Sequence, residues 1–371
     1  CFLLDGSNIL LDILLVSDCI ASLEMRIQHG SPLAVCFALL LLPAAWISTW
    51  LAAGQPAHIE TEYLTSFQLR DTTLSQAEFT WHYRRHGAVM LHFDPSPSIL
   101  EDAFPALDRY LEAENITRIK MSSDDNVSAN PDNVSTGVSP LRMRFRDHAT
   151  LAPADDTVQG PHQEGASASR GNRRAIVFLC EEPAAENGGT ALFDMQRAWE
   201  VLPADLQARL AGANFGFRQH DGSLLVVPAV VLHDVTGKPC LQFYCFGRTR
   251  RDCVDVYRHR TGRYHVRPDP YQYEMHADAD LMLKEAGGAW RPFVGLDVYR
   301  MLDSVYSAMI AHTWSKGQAL VVDNIRWAHA RLDGAGPRRK LHFFYYGPRD
   351  WSFSLNKLPR PQLSTGGVVG E

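Results

Sequence analysis

Short segments rich in β-branched and aromatic residues recur along the chain, separated by turn-rich loops and without an internal repeat. These segments are residues 87–93, 175–180, 224–231, 318–322 and 341–346. This composition is typical of strands, and many short strands with few helices indicate two sheets packed as a sandwich or jelly roll. We therefore predict a mainly β domain with flanking helices.

Two segments, 100–114 and 195–211, place apolar side chains three and four residues apart, as surface helices do. The arginine-dense segment 248–267 interrupts the strand pattern. We expect it to be an insertion over one mouth of the sandwich, either a lid that holds an acidic substrate or a solvated loop. A single domain is predicted at 55–371, with its core at about 79–346.

The front of the chain carries an apolar segment, residues 32–53, preceded by Met25 and Arg26 and followed by Gly54. A basic start, an apolar stretch and small residues predict a signal peptide or a signal anchor at 25–54. About 20 apolar residues are just enough to span a bilayer, so a membrane anchor at 32–53 is one of the two outcomes. A buried core helix is the alternative, and residues 1–24 are unassigned.

Three N-x-Ser/Thr triplets begin at Asn115, Asn126 and Asn133, in one stretch rich in Ser, Asp, Asn and Pro that is typical of an exposed loop. Such triplets are acceptors for glycosylation in secreted proteins. Together with the leader they favour the lumen of the secretory pathway, the extracellular space or a membrane-anchored position.

Charge and cysteine content narrow the choice of partners. The formal net charge is -6, whereas a general nucleic-acid binder needs a basic face, so we predict a small-molecule substrate and no nucleic-acid partner.

Four cysteines follow the leader, and no C-x-x-C pair is present to suggest a zinc knuckle. Buried thiols and disulfides both remain open for Cys180, Cys240, Cys245 and Cys253. The sequence does not predict an oligomeric state.

His162 and Glu164 form an H-x-E pair, and on a strand residues i and i+2 point to the same side. Two His and one carboxylate form the facial triad that holds Fe(II) with open positions. Three other pairs match the pattern, beginning at His58, His92 and His276. Only His162 is preceded by a loop and followed by a strand and a Gly-Gly-Thr sequence.

The third ligand of a jelly-roll site comes from a late strand that returns beside the early ones. His329 follows such a strand, and Arg339 comes ten residues later. Alternation places Arg339 on the apolar face with Leu341 and Phe343. A buried guanidinium needs an anionic partner, which the distal carboxylate of 2-oxoglutarate or an internal Asp or Glu can supply.

These motifs together resemble the taurine dioxygenase (TauD/TfdA-like) family over roughly residues 79–346. They comprise Pro161 to Glu164, Cys180 to Pro183, Gly188 to Asp194, Trp314 to Gln318, Asp323-Asn324, His329 to Arg331 and Gly336 to Arg339. Glu164, where most of the wider family has Asp, is similar to the clavaminate synthase-like branch, several of whose members hydroxylate amino acids.

The resemblance implies a double-stranded β-helix, Fe(II) and 2-oxoglutarate as cofactors, and hydroxylation of a small molecule such as an amino acid or related acid. It assigns the iron ligands to His162, Glu164 and His329, and cosubstrate binding to Arg339 and Thr190. Thr190 comes one residue earlier than in the family pattern. The alternatives are a catalytically silent ligand-binding module on the same fold and a metal enzyme that does not use 2-oxoglutarate.

Overall fold

The computed structural model describes residues 65–68, 74–95, 99–119, 142–144, 149–151, 156–164, 173–218, 224–243, 247–268, 281–335 and 339–348. All of them belong to the second of the two units into which the chain divides, His58–Glu371. The predicted leader 25–54, Asn126, Asn133 and Cys245 lie outside the described residues. No helix in the described part is long and apolar enough to cross a bilayer.

The described residues form helices and strands that we number in chain order. The helices are α1 (Gln76–His86), α2 (Ile99–Glu112), α3 (Met195–Glu200), α4 (Ala204–Leu210), α5 (Gly247–Thr261) and α6 (Leu296–Ser307). The strands are β1 (Thr65–Gln68), β2 (Ala88–His92), β3 (Ile116–Arg118), β4 (Arg142–Arg144), β5 (Ala149–Leu151), β6 (Thr157–Val158), β7 (Ala175–Glu182), β8 (Glu186–Asn187), β9 (Thr190–Asp194), β10 (Asn214–Arg218), β11 (Leu224–Pro228), β12 (Val230–Leu232), β13 (Pro239–Leu241), β14 (Arg267–Pro268), β15 (Leu281–Lys284), β16 (Arg291–Pro292), β17 (Met309–His312), β18 (Gln318–Asp323), β19 (Trp327–Arg331), β20 (Gly334–Ala335) and β21 (Lys340–Pro348). A mainly β chain with some helices is thus confirmed.

The largest sheet has eight strands in the order β1-β2-β18-β7-β21-β5-β4, with β3 also paired to β21. β1 runs parallel to β2, whereas β2, β18, β7 and β21 pair in antiparallel fashion. Strands distant in sequence therefore lie side by side. The central strands are buried on both faces, which explains why they read as nearly continuous apolar runs.

One face of this sheet packs against α1 and α2. Side chains that alternate along the strands, such as Val89, Val177 and Phe344, meet Phe79 of α1 and Leu107 of α2 in one apolar cluster. α1 begins with a capping box in which Ser75 and Glu78 hydrogen-bond each other's backbone N–H, and it ends at Gly87 with φ +68°. These caps fix the direction in which the chain enters β2.

The opposite face packs against a second, three-stranded sheet of order β17-β9-β19. Phe178, Leu320 and Phe343 of the large sheet meet Leu192 of β9 and Trp327 of β19. The space between the two sheets therefore holds side chains from β7, β18, β21, β9 and β19.

The other face of the small sheet, with Phe193 and Ala328, packs on the third apolar cluster. Helices α3 to α6 and the four-stranded sheet β11-β10-β15-β16 supply most of the rest of that cluster, and β13 adds Cys240 and Leu241. Strands β9 and β19 of the small sheet are thus buried on both faces.

Three local predictions need correction. The segment 195–211 forms two helices, because Pro203 has no N–H to donate and its ring clashes with a preceding helical turn. The segment 224–231 is divided at Ala229 between β11 and β12, which lie in different sheets. The arginine-dense segment 248–267 is mostly helix α5 rather than a loop, and its Cys253 and Val256 are buried in the core.

The described cysteines settle part of the disulfide question. Cys180 and Cys240 are free thiols, and both are buried, as is Cys253. Burial raises the pKa of the Cys180 and Cys240 thiols to about 12, so they remain protonated at neutral pH. The buried-thiol alternative is therefore correct for Cys180 and Cys240.

Gly317 joins three strands of the large sheet and has φ +89°. Its N–H donates to the carbonyl of Cys180, and its carbonyl accepts from the N–H of Phe93. A Cβ at this position would lie 2.3 Å from the Phe93 carbonyl oxygen. We expect Gly317→Ala to lower the free energy of unfolding by about 2 kcal/mol or more, as measured by urea denaturation.

Gly262 provides the matched control for that substitution. Its φ is +70°, but a Cβ there would meet nothing within 4 Å. Gly262→Ala therefore carries the backbone strain without the clash, and we expect it to cost about 1 kcal/mol. Equal effects of the two substitutions would contradict the close approach at Gly317.

Candidate metal centre

The backbone brings His162 and His329 opposite each other. The two residues form an isolated antiparallel bridge, with His162 N–H donating to the His329 carbonyl at 3.0 Å and His329 N–H donating to the His162 carbonyl at 2.9 Å. Their imidazole ring centroids are 4.3 Å apart. The loop before β7 and the late strand β19 therefore deliver two imidazoles to one point.

Glu164 completes the cluster. Its Oε1 lies 3.7 Å from Nε2 of His162. One ligand atom from each of His162, Glu164 and His329 lies within 4.8 Å of the other two. Two imidazole nitrogens and one carboxylate oxygen at this spacing suit a divalent first-row transition metal such as Fe(II). The chemistry of the donor set therefore fits an iron site.

The ring of His162 is oriented for this purpose. Its Nδ1 lies 2.9 Å from the carbonyl oxygen of Gly160. A carbonyl can only accept, so Nδ1 carries the proton and donates it, leaving the Nε2 lone pair available to a metal. Nε2 is also the atom that faces Glu164.

Asn324 is fully buried and holds the backbone around Glu164. Its Oδ1 accepts from the Glu164 N–H at 2.9 Å, and its Nδ2 donates to the Glu164 carbonyl at 2.8 Å. The same Nδ2 donates to the Arg173 carbonyl at 2.7 Å. One amide between β18 and β19 thus ties both ends of the stretch between Glu164 and Arg173.

Gln163 points away from the metal cluster and anchors the same segment on its other side. It is fully buried, and its Nε2 donates to the Ile325 carbonyl at 2.6 Å. Its Oε1 accepts from the Phe243 N–H at 2.9 Å. Gln163, the middle residue of the H-x-E pair, therefore stabilises the fold, while His162 and Glu164 face the metal site.

Asp323 organises the turn that carries Asn324. Its Oδ1 accepts from the Ile325 N–H at 2.9 Å, and its Oδ2 lies 3.0 Å from Nε2 of buried His233. Burial alone raises the pKa of Asp323, but the hydrogen bond from His233 and the charge of Arg174 together lower it below its usual value. Asp323 is therefore ionised at neutral pH.

Thr190 lies at the start of β9, on the same face of the strand as Leu192, which pairs with His329. Its Oγ1 accepts a hydrogen bond from the indole N–H of Trp314 at 3.0 Å. A hydroxyl that accepts in this way keeps its own proton to donate. Thr190 is nearly fully buried, so a donor is held ready between the two sheets.

Arg339 immediately precedes β21, and its side chain is only 2% exposed. Leu341, Phe343 and Tyr345 point between the sheets, and a register shift lies between Lys340 and Leu341. The charge of Arg339 acts on the buried Cys180 thiol of β7, lowering the pKa that burial raises. A cationic group is thus buried beside β7.

The other H-x-acid pairs do not gather ligands in the part of the chain that the structure describes. Among those residues the one group of three metal-ligating side chains is His162, Glu164 and His329. His92 ends β2, and Asp94 after it is exposed. The pairs at His58 and His276 lie outside the described residues.

The arginines around α5 contact acidic residues of the chain itself. Arg260 donates to Asp303 at 2.6 Å and 2.9 Å, and Arg263 pairs with buried Asp333. Asp333 also accepts from the Tyr257 hydroxyl at 3.0 Å. These contacts fix α5 to α6 and to the segment after β19.

The sequence matches the family model described as taurine catabolism dioxygenase TauD, TfdA family over residues 52–345. No curated protein matches it. Among solved structures it is similar to PvcB of Pseudomonas aeruginosa, described as an Fe, alpha-ketoglutarate dependent oxygenase from an isonitrile synthetic pathway, with 15% identity, a TM-score of 0.44 and coverage of 73% of this chain and 80% of that chain. It is also similar to a taurine dioxygenase from Burkholderia xenovorans, with 12% identity, a TM-score of 0.46 and coverage of 78% of this chain and 86% of that chain.

Proposed function

Because the chain belongs to the taurine catabolism dioxygenase TauD, TfdA family, we propose that His162, Glu164 and His329 hold its catalytic iron and that Arg339 binds its cosubstrate. Enzymes of this family are non-haem oxygenases that depend on Fe(II) and 2-oxoglutarate, and the chain is one of them. The observation that carries the residue assignment is the cluster of three ligand atoms within 4.8 Å of one another.

The three donors come from one side of the site. When bound, Fe(II) would supply the centre at which dioxygen reacts: one oxygen atom is incorporated into succinate as 2-oxoglutarate loses CO2, and the other is inserted into a C–H bond of the substrate. The hydrogen bond from Nδ1 of His162 to the Gly160 carbonyl orients the ring so that Nε2 faces the site, and Asn324 fixes the backbone of Glu164. Backbone hydrogen bonds between His162 and His329 hold the two residues opposite each other without help from the metal.

We assign the cosubstrate to the space between the sheets. The buried guanidinium of Arg339 is suited to the distal carboxylate of 2-oxoglutarate, because a planar fork matches a carboxylate bidentately. Thr190 adds a hydroxyl donor, oriented by Trp314. Both side chains are nearly fully buried, so water competes weakly for the ligand.

The two facing sheets support a double-stranded β-helix, or jelly-roll, core. β7, β18 and β21 lie in one sheet, β9 and β19 lie in the other, and apolar side chains of both sheets interlock between them. In such a core the late strands return beside the early ones, as the bridge between His162 and His329 requires.

The proposed reaction is hydroxylation of a small molecule, such as an amino acid or a related acid. A carboxylate at position 164 supports hydroxylation over halogenation, since halogenases that resemble the family leave that place open for a halide. Membership of the family, with all three ligands and Arg339 present, favours the enzyme over a silent binding module on the same fold.

The direct test is an anaerobic titration of the purified protein with Fe(II) and 2-oxoglutarate, observing the visible charge-transfer band of the chelated complex. The proposal predicts a band that needs both additions, and slow succinate release once air is admitted. Protein that binds no Fe(II), or that binds it without a 2-oxoglutarate-dependent band, would contradict the assignment.

Arg339→Gln is expected to raise the 2-oxoglutarate concentration needed for half of the band by roughly 10- to 100-fold, because a charged hydrogen-bond partner is lost. Iron binding in the absence of 2-oxoglutarate should be unchanged. Arg339→Lys, which keeps the charge but not the fork, should lie between Arg339→Gln and the wild type. Equal 2-oxoglutarate affinity in all three proteins would remove Arg339 from the site.

A further inference from the structure

Glu164 is one methylene longer than the Asp that most of the family carries, so its carboxylate has an additional torsion to fix. We propose that Arg173 is a positioning residue that holds Oε2 of Glu164 and thereby makes the carboxylate bind the metal through Oε1 alone. This inference rests on the proposed iron site.

The two oxygens of Glu164 have different neighbours. Oε2 accepts a hydrogen bond from NH1 of Arg173 at 2.9 Å. Oε1 faces the cluster, 3.7 Å from Nε2 of His162. The side chains of Glu164 and Arg173 are 22% and 21% exposed, so the pair is shielded but reachable by small ions. One oxygen of the Glu164 carboxylate therefore contacts Arg173, and the other faces the metal position.

Arg173 is itself held in place before any metal arrives. Its guanidinium carbon lies 4.0 Å from the ring centroid of Tyr345, a buried side chain on the inner face of β21. Its backbone carbonyl accepts from Asn324, which also bonds the backbone of Glu164. Stacking on one side and a shared amide on the other restrict the guanidinium to the position beside Oε2.

The division of the carboxylate has a chemical consequence. With two imidazoles and one carboxylate oxygen bound, a six-coordinate ion keeps three open positions, as the facial triad requires. A carboxylate that chelates through both oxygens leaves two, which 2-oxoglutarate alone would fill. Because Oε2 is hydrogen-bonded to Arg173, only Oε1 would bind the metal, and the third open coordination position is kept. The same hydrogen bond fixes the orientation of the carboxylate.

Co(II) is the probe for this inference, because its visible d–d absorption reports coordination number without turnover. We expect Arg173→Gln to weaken Co(II) binding by roughly 10- to 100-fold, as loss of an outer partner of a metal ligand typically does. The d–d spectrum of the saturated variant should also differ from that of the wild type. Arg173→Met, which keeps a long apolar side chain but removes the guanidinium, should behave alike and serves as the second variant if Arg173→Gln does not fold.

Arg118 offers a matched control on the opposite face of the large sheet. It donates to Asp108 at 3.1 Å, and its guanidinium carbon lies 4.0 Å from the ring centroid of Phe104. Its side chain is 24% exposed, close to the value for Arg173. Arg118→Gln should therefore lose comparable contacts while leaving the Co(II) affinity and spectrum unchanged.

Introducing Arg173→Gln into the Glu164→Asp variant distinguishes positioning of the carboxylate by Arg173 from a general effect of removing a positive charge. The shorter carboxylate withdraws from Arg173, so Arg173→Gln should change Co(II) affinity by less than about 3-fold there, compared with roughly 10- to 100-fold in the wild type. Wild-type Co(II) affinity and spectrum in Arg173→Gln or Arg173→Met would overturn the role of Arg173. Absence of Co(II) binding by the wild type would instead overturn the proposed metal site itself.

Discussion

His162→Ala is expected to weaken Fe(II) binding by more than about 100-fold, because loss of an outer partner alone costs about 10- to 100-fold and this change removes a ligand. The charge-transfer band with 2-oxoglutarate and the release of succinate should both disappear. The bridge to His329 uses only main-chain atoms, so the fold should survive the substitution. Anaerobic Fe(II) titration and circular dichroism measure the two effects separately.

His259→Ala is the control for this substitution. His259 is exposed on α5 and is not one of the clustered ligands. We expect it to leave Fe(II) affinity at the wild-type value. Iron binding retained by His162→Ala would place the metal elsewhere, whereas equal losses in both variants would indicate a nonspecific effect of removing imidazoles.

The strands were the most predictable part of this fold. β7, β18 and β21 are buried on both faces, so their apolar runs stand out in the sequence. α1 was not predicted, since only Phe79 and Tyr83 of its residues are buried and its apolar stripe is narrow. Its capping box at Ser75 and the C-terminal Gly87 were the available signals.

The candidate metal ligands could be identified from the sequence, because the H-x-E spacing and the family resemblance both indicate an iron site. The residues that hydrogen-bond to Glu164 and hold it in place could not be identified from the sequence. Asn324 bonds Glu164 across 160 positions of sequence, and Arg173 is one of several arginines in its segment. Local patterns carry no information about which distant atom a side chain will meet, so such partners emerge only from the three-dimensional structure.

Asn324→Ala is expected to lower the free energy of unfolding by about 3–5 kcal/mol, because it leaves three backbone groups without their hydrogen-bond partner. These groups are the N–H and carbonyl of Glu164 and the carbonyl of Arg173. Without these hydrogen bonds to its backbone, Glu164 should also bind Fe(II) at least about 10-fold more weakly. Urea denaturation and anaerobic Fe(II) titration measure the two effects.

Gln207→Ala separates these two effects, since Gln207 is a partly buried amide of α4 that donates to the Trp199 carbonyl of α3 at 2.7 Å and has no contact with the Asn324 turn. It should lower stability while leaving Fe(II) affinity intact. If Asn324 acted only on the fold, both variants would bind iron as the wild type does under conditions where they remain folded. A selective loss of iron affinity in Asn324→Ala would instead show that backbone order around Glu164 is itself part of the metal site.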